Sequence, residues 1–483
     1  FYGLNMPKSG DTQIYLGESG NLDNCFITKD YDLSKAYGYL QLSQAASVNP
    51  IRGMWYGDIG GTNYFLVATN GKLYKFDDNH WNTQFDGTDT FASVTTEIGS
   101  LTDAPTEFFA FGGKIYIVNG SEYKSYDGSS LIDVVGYVPK IRIGCVPLTG
   151  TGTEFEEINV LIGSKYQTYN ADGTDLYQVA ETGIDSIDSV YVDGVLKTVT
   201  TDYTVDLTLG QVTFVSAPTA GLDNVEIHWT KGSGNRDVVV KNRFAFLFGQ
   251  ASDTRVFLYG HTDNINVRVY SSLANGVPSA EYFTEAAAEE IGSSSFPITG
   301  MARQQNIMLI FKPNETYYSY YDSVNLDGVD VVTFPAPIIN DSRGNVAMGQ
   351  ARVLYNDPFT IDSQLIKWYP TQNKDERNAK NVGARIQKDF DRVNLSECLT
   401  VDYERRSEMW ISNSNNIWVY RYDLESPRKE QGVFSKLEFP DIPSCWLVID
   451  GDLFFGTTTG RIMKINEEYL TYNGTSINSH WGM

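Results

Sequence analysis

An all-β propeller of six or seven blades, with a small β-sandwich inserted into it, is the fold this sequence predicts. Three observations predict it. The first is a recurring pattern, spaced about 40 to 60 residues apart where it is cleanest, of an apolar strand, a Gly/Asn/Asp turn and a second aromatic-rich strand. It occurs at YFLVATNGKLYKFD (64–77), FFAFGGKIYIVNG (108–120), RFAFLFGQ with RVFLYG (243–260), NIMLIFKPNETYYSYY (306–321), MWISNSNNIWVYRYD (409–423) and LVIDGDLFFGTTTGRIMKI (447–465). The second is composition: 13% aromatic residues, 31 Tyr and 43 Gly in 483 residues, the residue types that strands and tight turns consume. The third is a break in the pattern between 146 and 235.

Taken in order, residues 1–145 hold an N-terminal segment and the first blades. Alternation begins at AYGYLQLS (36–43), a strand that would close the ring against the last blade. GMWYG, YFLVAT, KLYKFD and FASVTTEI then supply four strands of one blade, and FFAFGG, KIYIVN, EYKSYD and SLIDVVGYV four of the next. Residues 146–235 carry 13 Asp and Glu against 3 Lys and no Arg, a local charge of −10. Two hairpins stand out there, SVYVDGVLKTV turning at Asp193-Gly194 and YTVDLTLGQVTFVS turning near Leu209-Gly210. With INVLIG before them and VEIHWT after, they make an inserted sandwich. Blades resume at DVVVKNRFAFLFG and run through 236–466, leaving a C-terminal tail at 467–483. The gap from Tyr321 to Met409 leaves room for a seventh blade. Two helices are expected: KDERNAKNVGARIQKDF, where Ala379, Val382, Ile386 and Phe390 recur at helical spacing, and a shorter one at EYFTEAAAEE (281–290).

Charge and motifs restrict function more than they assign it. A net charge of −23 argues against gripping nucleic acid through its phosphates. No apolar run approaches the roughly 18 residues of a membrane helix, and no basic-then-apolar signal segment is present, so a soluble chain without membrane insertion is expected. Cys25, Cys145, Cys398 and Cys445 are far apart and form no CxxC pair, which predicts four reduced thiols. His80, His228, His261 and His480 are isolated, and there is no HExxH, GxSxG or dinucleotide fingerprint. NADGTDLY (170–177) resembles half of a calcium loop but lacks the closing Glu, so an Asp-Gly turn is the better reading. The aromatic clusters WYG, TYYSYY and MWISNSNNIWVYRY could stack on sugars or fill the wedges between blades. No catalytic residue, cofactor or metal ligand is assigned. The segment 374–392 is locally basic, and Lys374, Arg377, Lys380, Arg385, Lys388 and Arg392 are candidates for contact with an acidic neighbouring subunit, against the plainer reading of an exposed, salt-bridged helix.

The order DSRGNVAMGQARVLYND, ERNAKNVGARIQKDF, LTVDYERRSEMWISNSNNIWVYRYDLES and VFSKLEFPDIPSCWLVIDGDLFFGTTTGRIMKINE resembles the virion propeller proteins of tailed bacteriophages, a group that includes packaged-DNA stabilisation proteins and tail hub or nozzle proteins. The insert string IDSVYVDGVLKTVTTDYTVDLTLGQVTFVSAP (187–218) is similar to small β modules of phage virions. The resemblance implies a non-enzymatic structural protein of the virion tail or neck, assembled in the bacterial cytoplasm. It implies a ring, often of six copies, that extends or seals the DNA channel beside the portal, its adaptor and other tail proteins. DNA would pass such a ring without specific binding, along a negative axial surface. The rival expectations are a receptor- or glycan-binding tail protein and a glycosidase acting on surface polysaccharide.

Overall fold

The computed structural model describes every residue except 1, 7–16, 44–45, 47, 78–87, 327–328, 371–377, 426–431 and 483. Strands follow one another as antiparallel neighbours because tight turns return the chain at once. At Asn70-Gly71, Gly112-Gly113 and Asp450-Gly451 both turn residues have positive φ, the geometry that matches strand twist in a two-residue hairpin.

Seven of the resulting sheets form blades. Blade 1 pairs Ile51–Ile59, Thr62–Thr69, Lys72–Phe76 and Thr95–Ser100, and blade 2 pairs Glu107–Phe111, Lys114–Val118, Tyr123–Tyr126 and Leu131–Asp133. Blade 3 runs Phe244–Gln250, Asp253–Tyr259, Val267–Ala274 and Val277–Glu290. Blade 4 runs Gly300–Gln304, Ile307–Phe311, Thr316–Ser319 and Ile338–Asn340, and blade 5 Arg352–Leu354, Asp357–Ile361, Leu365–Trp368 and Ala379–Asn381. Blade 6 holds Leu399–Tyr403, Glu408–Asn413, Asn416–Arg421 and Val433–Glu438, and blade 7 Pro443–Ile449, Asp452–Thr457 and Ile462–Ile465.

The first strands of the blades touch in cyclic order from blade 1 to blade 7, and blade 7 returns to blade 1. That closed cycle defines a propeller. Among the described residues the propeller's apolar clusters lie in the seven gaps between neighbouring blades. Trp368, Trp410 and Trp418 are fully buried in them, so the aromatic texture of 409–423 fills wedges.

Closure uses the N-terminal region. Tyr39–Gln41 pairs antiparallel with Ile462–Ile465 and supplies blade 7 with its fourth strand. Tyr39 is fully buried, stacked on Tyr472 at 5.1 Å and edge-on to Phe455 at 5.0 Å. Asn21–Asp23 extends blade 6 and pairs with His480–Gly482, so residues near both ends of the described chain are stitched into sheets.

Between blades 2 and 3 the chain makes a separate two-sheet unit. Its larger sheet orders Thr153–Glu154, Lys140–Cys145, Ser164–Ala171, Gly221–Thr230, Ser186–Val192 and Val195–Leu196, and its smaller one Leu176–Gln178, Gln211–Phe214 and Tyr203–Asp206. They enclose Tyr169, Tyr177, Val190, Phe214, Ile227 and Trp229. The sandwich starts at Lys140, ahead of the sequence-based boundary at 146, because Lys140–Cys145 pairs in parallel with Ser164–Ala171.

Neither expected helix forms as such. Residues 281–290 belong to the strand Val277–Glu290, whose alanines Ala280 and Ala287 are buried against neighbouring strands. Tertiary pairing there overrides the helix propensity of alanine. Residues 374–377 lie outside the described part, and the rest of that segment divides into the strand Ala379–Asn381, a 3-10 turn at Ala384–Ile386 and one α-turn at Gln387–Phe390. Val382, Ile386 and Phe390 share the gap between blades 5 and 6 through these separate local conformations, which is why their spacing looks helical.

Candidate functional site

Where the first strands begin, they surround an axial cavity of about 810 Å³. Arginines from three blades reach it: Arg52 from blade 1, Arg243 just before blade 3 and Arg352 at the start of blade 5. Arg52 is held by Asp103 at 2.9 Å. Arg352 donates to the Thr400 carbonyl from Nε at 3.2 Å and Nη2 at 2.9 Å, and to the Gly349 and Ala351 carbonyls at 3.2 and 2.9 Å, tying blade 5 to blade 6. Enclosure pushes its pKa down. Arg243 is exposed to the cavity, and among the described residues its side chain makes one polar contact, with the Met348 sulfur at 3.8 Å.

Glu107 is the carboxylate of the lining. Its surface is open to the cavity while protein stands on all sides, and this enclosure pushes the carboxyl up to about 7, opposed by the positive charge of Arg352. A lone carboxyl near neutrality can exchange a proton, but glycoside hydrolysis needs a second carboxylate facing it, and none of the other described lining residues is acidic. Cys445 also lines the cavity, with burial pushing its thiol up to about 12, far from the thiolate a nucleophile needs.

The histidines lie elsewhere. His228 stacks on Tyr166 at 4.3 Å and bonds Glu226 at 2.5 Å on the outer face of the sandwich's larger sheet. His261 is buried, accepts the Asp263 and Asn264 backbone N–H groups at Nδ1 and contacts the Asp237 carbonyl through Nε2. His480 is exposed and His80 lies outside the described residues. Asp172 accepts from the Thr174 N–H at 3.0 Å, an Asx turn. Among the described residues no cluster of His, Cys, Asp and Glu converges as a metal site would, and no helix is long and apolar enough to cross a membrane. The four cysteines are free thiols, and Cys25, Cys145 and Cys398 are buried.

Of the six cations singled out from sequence, the four that are described do not form one surface. Lys374 and Arg377 lie outside the described residues, and Lys380 sits on the last strand of blade 5 with its ammonium 5.1 Å from the Tyr369 ring. Arg385 is 1% exposed, ion-paired with the buried Glu18 and donating to the Tyr2 carbonyl at 2.7 Å. It therefore clamps the N-terminal region to blade 5 and is unavailable to a neighbour. Lys388 and Arg392 are exposed.

A different surface presents apolar groups. On the sandwich, Val195 and Leu196 are about 60% exposed, and Val199, Val205, Leu207 and Leu209 follow them into solvent. Asp193 and Asp206 are exposed in the same segment. Exposed aliphatic side chains interspersed with carboxylates along one segment suit association with a protein. Sequence reasoning missed both this row and the axial arginines. The latter left a signal, since Arg52, Arg243 and Arg352 occupy the same station, within one residue, at the start of a first strand.

No protein-family model matches the chain, and no curated protein does. Among solved structures it is similar to the computationally designed Ika8 protein, at 9% identity and a TM-score of 0.36 over 88% of this chain and 99% of that one. It is also similar to BamB from Moraxella catarrhalis, at 7% identity and a TM-score of 0.36 over 89% and 94%. Likenesses this distant add nothing to the fold, which rests on the strand pairing and the closed cycle of blades.

Proposed function

We propose that this chain is a non-catalytic structural subunit of a tailed-bacteriophage virion, assembling into a ring at the tail or neck that extends or seals the DNA channel. The observation that carries the reading is the sandwich inserted between blades 2 and 3, which displays the aliphatic row 195–209 in an acidic setting. Apart from Val160 and Leu161, which pack between blades 2 and 3, the inserted segment builds a core of its own, so the sandwich is the natural element to contact a neighbour. The order of sequence segments supports the phage assignment, and the charge of −23 suits a wall that DNA passes without sticking. Native mass spectrometry of the purified protein tests assembly: rings, six copies being the expectation, support it, and a monomer with no place in purified virions overturns it. Turnover of host capsule or wall polysaccharide by the purified chain would contradict the non-catalytic part.

A further inference from the structure

On the face of the propeller opposite the axial cavity, a cleft of about 900 Å³ opens where the first strands of blades 3 and 4 end. The placement follows from strand direction: Phe244 begins its strand at the axial cavity, and Phe248, Gly249 and Gln250 finish it at the cleft. The volume lies within the roughly 300–1,000 Å³ of ligand sites.

Alternation along Thr316–Ser319 sets the chemistry of its wall. Tyr317 packs into the gap with blade 3 and Ser319 is buried, while Tyr318, half-buried against the cluster between blades 4 and 5, shares the other face of the strand with Tyr320. Their rings stand 5.9 Å apart at 24°, and Tyr320 is 36% exposed, which makes a nearly parallel pair of platforms. Beside Tyr320 on the same blade, the turn at Gln305-Asn306, with Gln305 at a φ of 55°, carries two exposed amides, and Gln250 adds a third. Among the described residues these three amide side chains and the Tyr318 and Tyr320 hydroxyls make no hydrogen bond, so their donors and acceptors face the cleft or solvent. Arg303 lies over Phe248 at 5.5 Å and donates to the Gly249 carbonyl at 3.3 Å, with further N–H groups to spare. No described lining residue is a carboxylate.

We infer that this cleft binds a neutral oligosaccharide. Aromatic faces take the C–H faces of sugar rings, and side-chain amides with a guanidinium match the donor and acceptor pairs of vicinal hydroxyls. With no carboxylate pair among the described lining residues, the cleft is read as holding the glycan without cleaving it. The charge of −23 on the chain sets a repulsive field against polyanionic glycans. The inference does not depend on ring assembly.

Isothermal titration of the full chain with maltohexaose, cellohexaose, chitohexaose and an alginate hexamer tests it. At least one neutral hexasaccharide should bind, with Tyr320→Ala and Gln305→Ala each weakening it by about tenfold or more and Tyr320→Phe retaining it. Arg243→Ala, at the far face, should leave the affinity unchanged. Absence of binding across the neutral sugars, binding indifferent to Tyr320→Ala, or tighter binding of the alginate hexamer would overturn the inference.

Discussion

In the propeller every first strand has a neighbour on each side, and the last sheet meets the N-terminal region through Tyr39–Gln41. In the inserted sandwich, Val195–Leu196 and Tyr203–Asp206 end their sheets with aliphatic side chains in solvent. Both units have aromatic cores, with Trp410 and Trp418 in the ring and Trp229 in the sandwich all buried. The difference lies in the edges. Radial repetition leaves a propeller only short, protected strand edges, whereas a small sandwich must either blunt its edges or use them. Here the larger sheet's edge carries exposed Val195 and Leu196, and the smaller sheet's edge exposed Val205. Stability in the first unit and contact in the second are separable, and substitutions can separate them.

The largest effect is expected inside the ring. Glu408 is fully buried and accepts from Tyr37 Oη at 3.1 Å, Trp410 Nε1 at 3.0 Å and Arg406 Nε at 3.0 Å. Glu408→Ala strands those donors and should cost about 3–5 kcal/mol in chemical denaturation, in the transition that reports the propeller. Trp229→Ala opens a cavity in the sandwich and should cost about 3–5 kcal/mol there, with the propeller transition kept. A single transition shifted equally by both substitutions would show that the two units fold as one. Excising 140–232 and bridging with a short Gly/Ser linker sharpens the same point, since cooperative unfolding of the remaining ring is expected, at lower stability because Val160 and Leu161 leave the gap between blades 2 and 3.

A smaller, pH-dependent effect is expected at the axial cavity. Glu107 titrates near 7 in the folded protein against an ordinary 4.5, so the folded state holds the proton more tightly than the unfolded chain. Its contribution is fully present below about pH 4.5 and is lost as pH rises through about 7. Glu107→Gln should therefore leave Tm nearly unchanged near the acid end and raise it by about a degree or two in alkaline buffer. Equal shifts across the range would mean that Glu107 is ordinarily solvated. Smallest of all, Leu196→Lys on the exposed edge should move stability by less than about 0.5 kcal/mol while weakening assembly.

How much of this was legible follows the physics of each element. The closing strand could be read because AYGYLQLS is a short aromatic-rich run, and every one of its residues except the half-buried Leu40 is buried. Hairpin texture gave six of the seven blades. Blade 5 stayed hidden because its strands are three to five residues long and its last strand runs into turns whose buried residues mimic a helix. The basic segment misled for a related reason: charge in sequence does not reveal that Arg385 faces inward to Glu18. Neither the axial cavity nor the tyrosine cleft could be seen along the chain, since the first draws on residues from Arg52 to Trp446 and the second on blades 3 to 5. The tyrosines of TYYSYY were visible, but only the packing of the blades shows that Tyr317 is buried against blade 3 while Tyr320 is exposed.

The assembly account is tested most directly by a single-particle map of the virion that carries this chain. It predicts copies in a ring coaxial with the portal, six being the expectation, with residues 195–209 of each sandwich buried against a neighbouring subunit. Trimers on a peripheral fibre, or coaxial rings in which those residues face solvent, would contradict it.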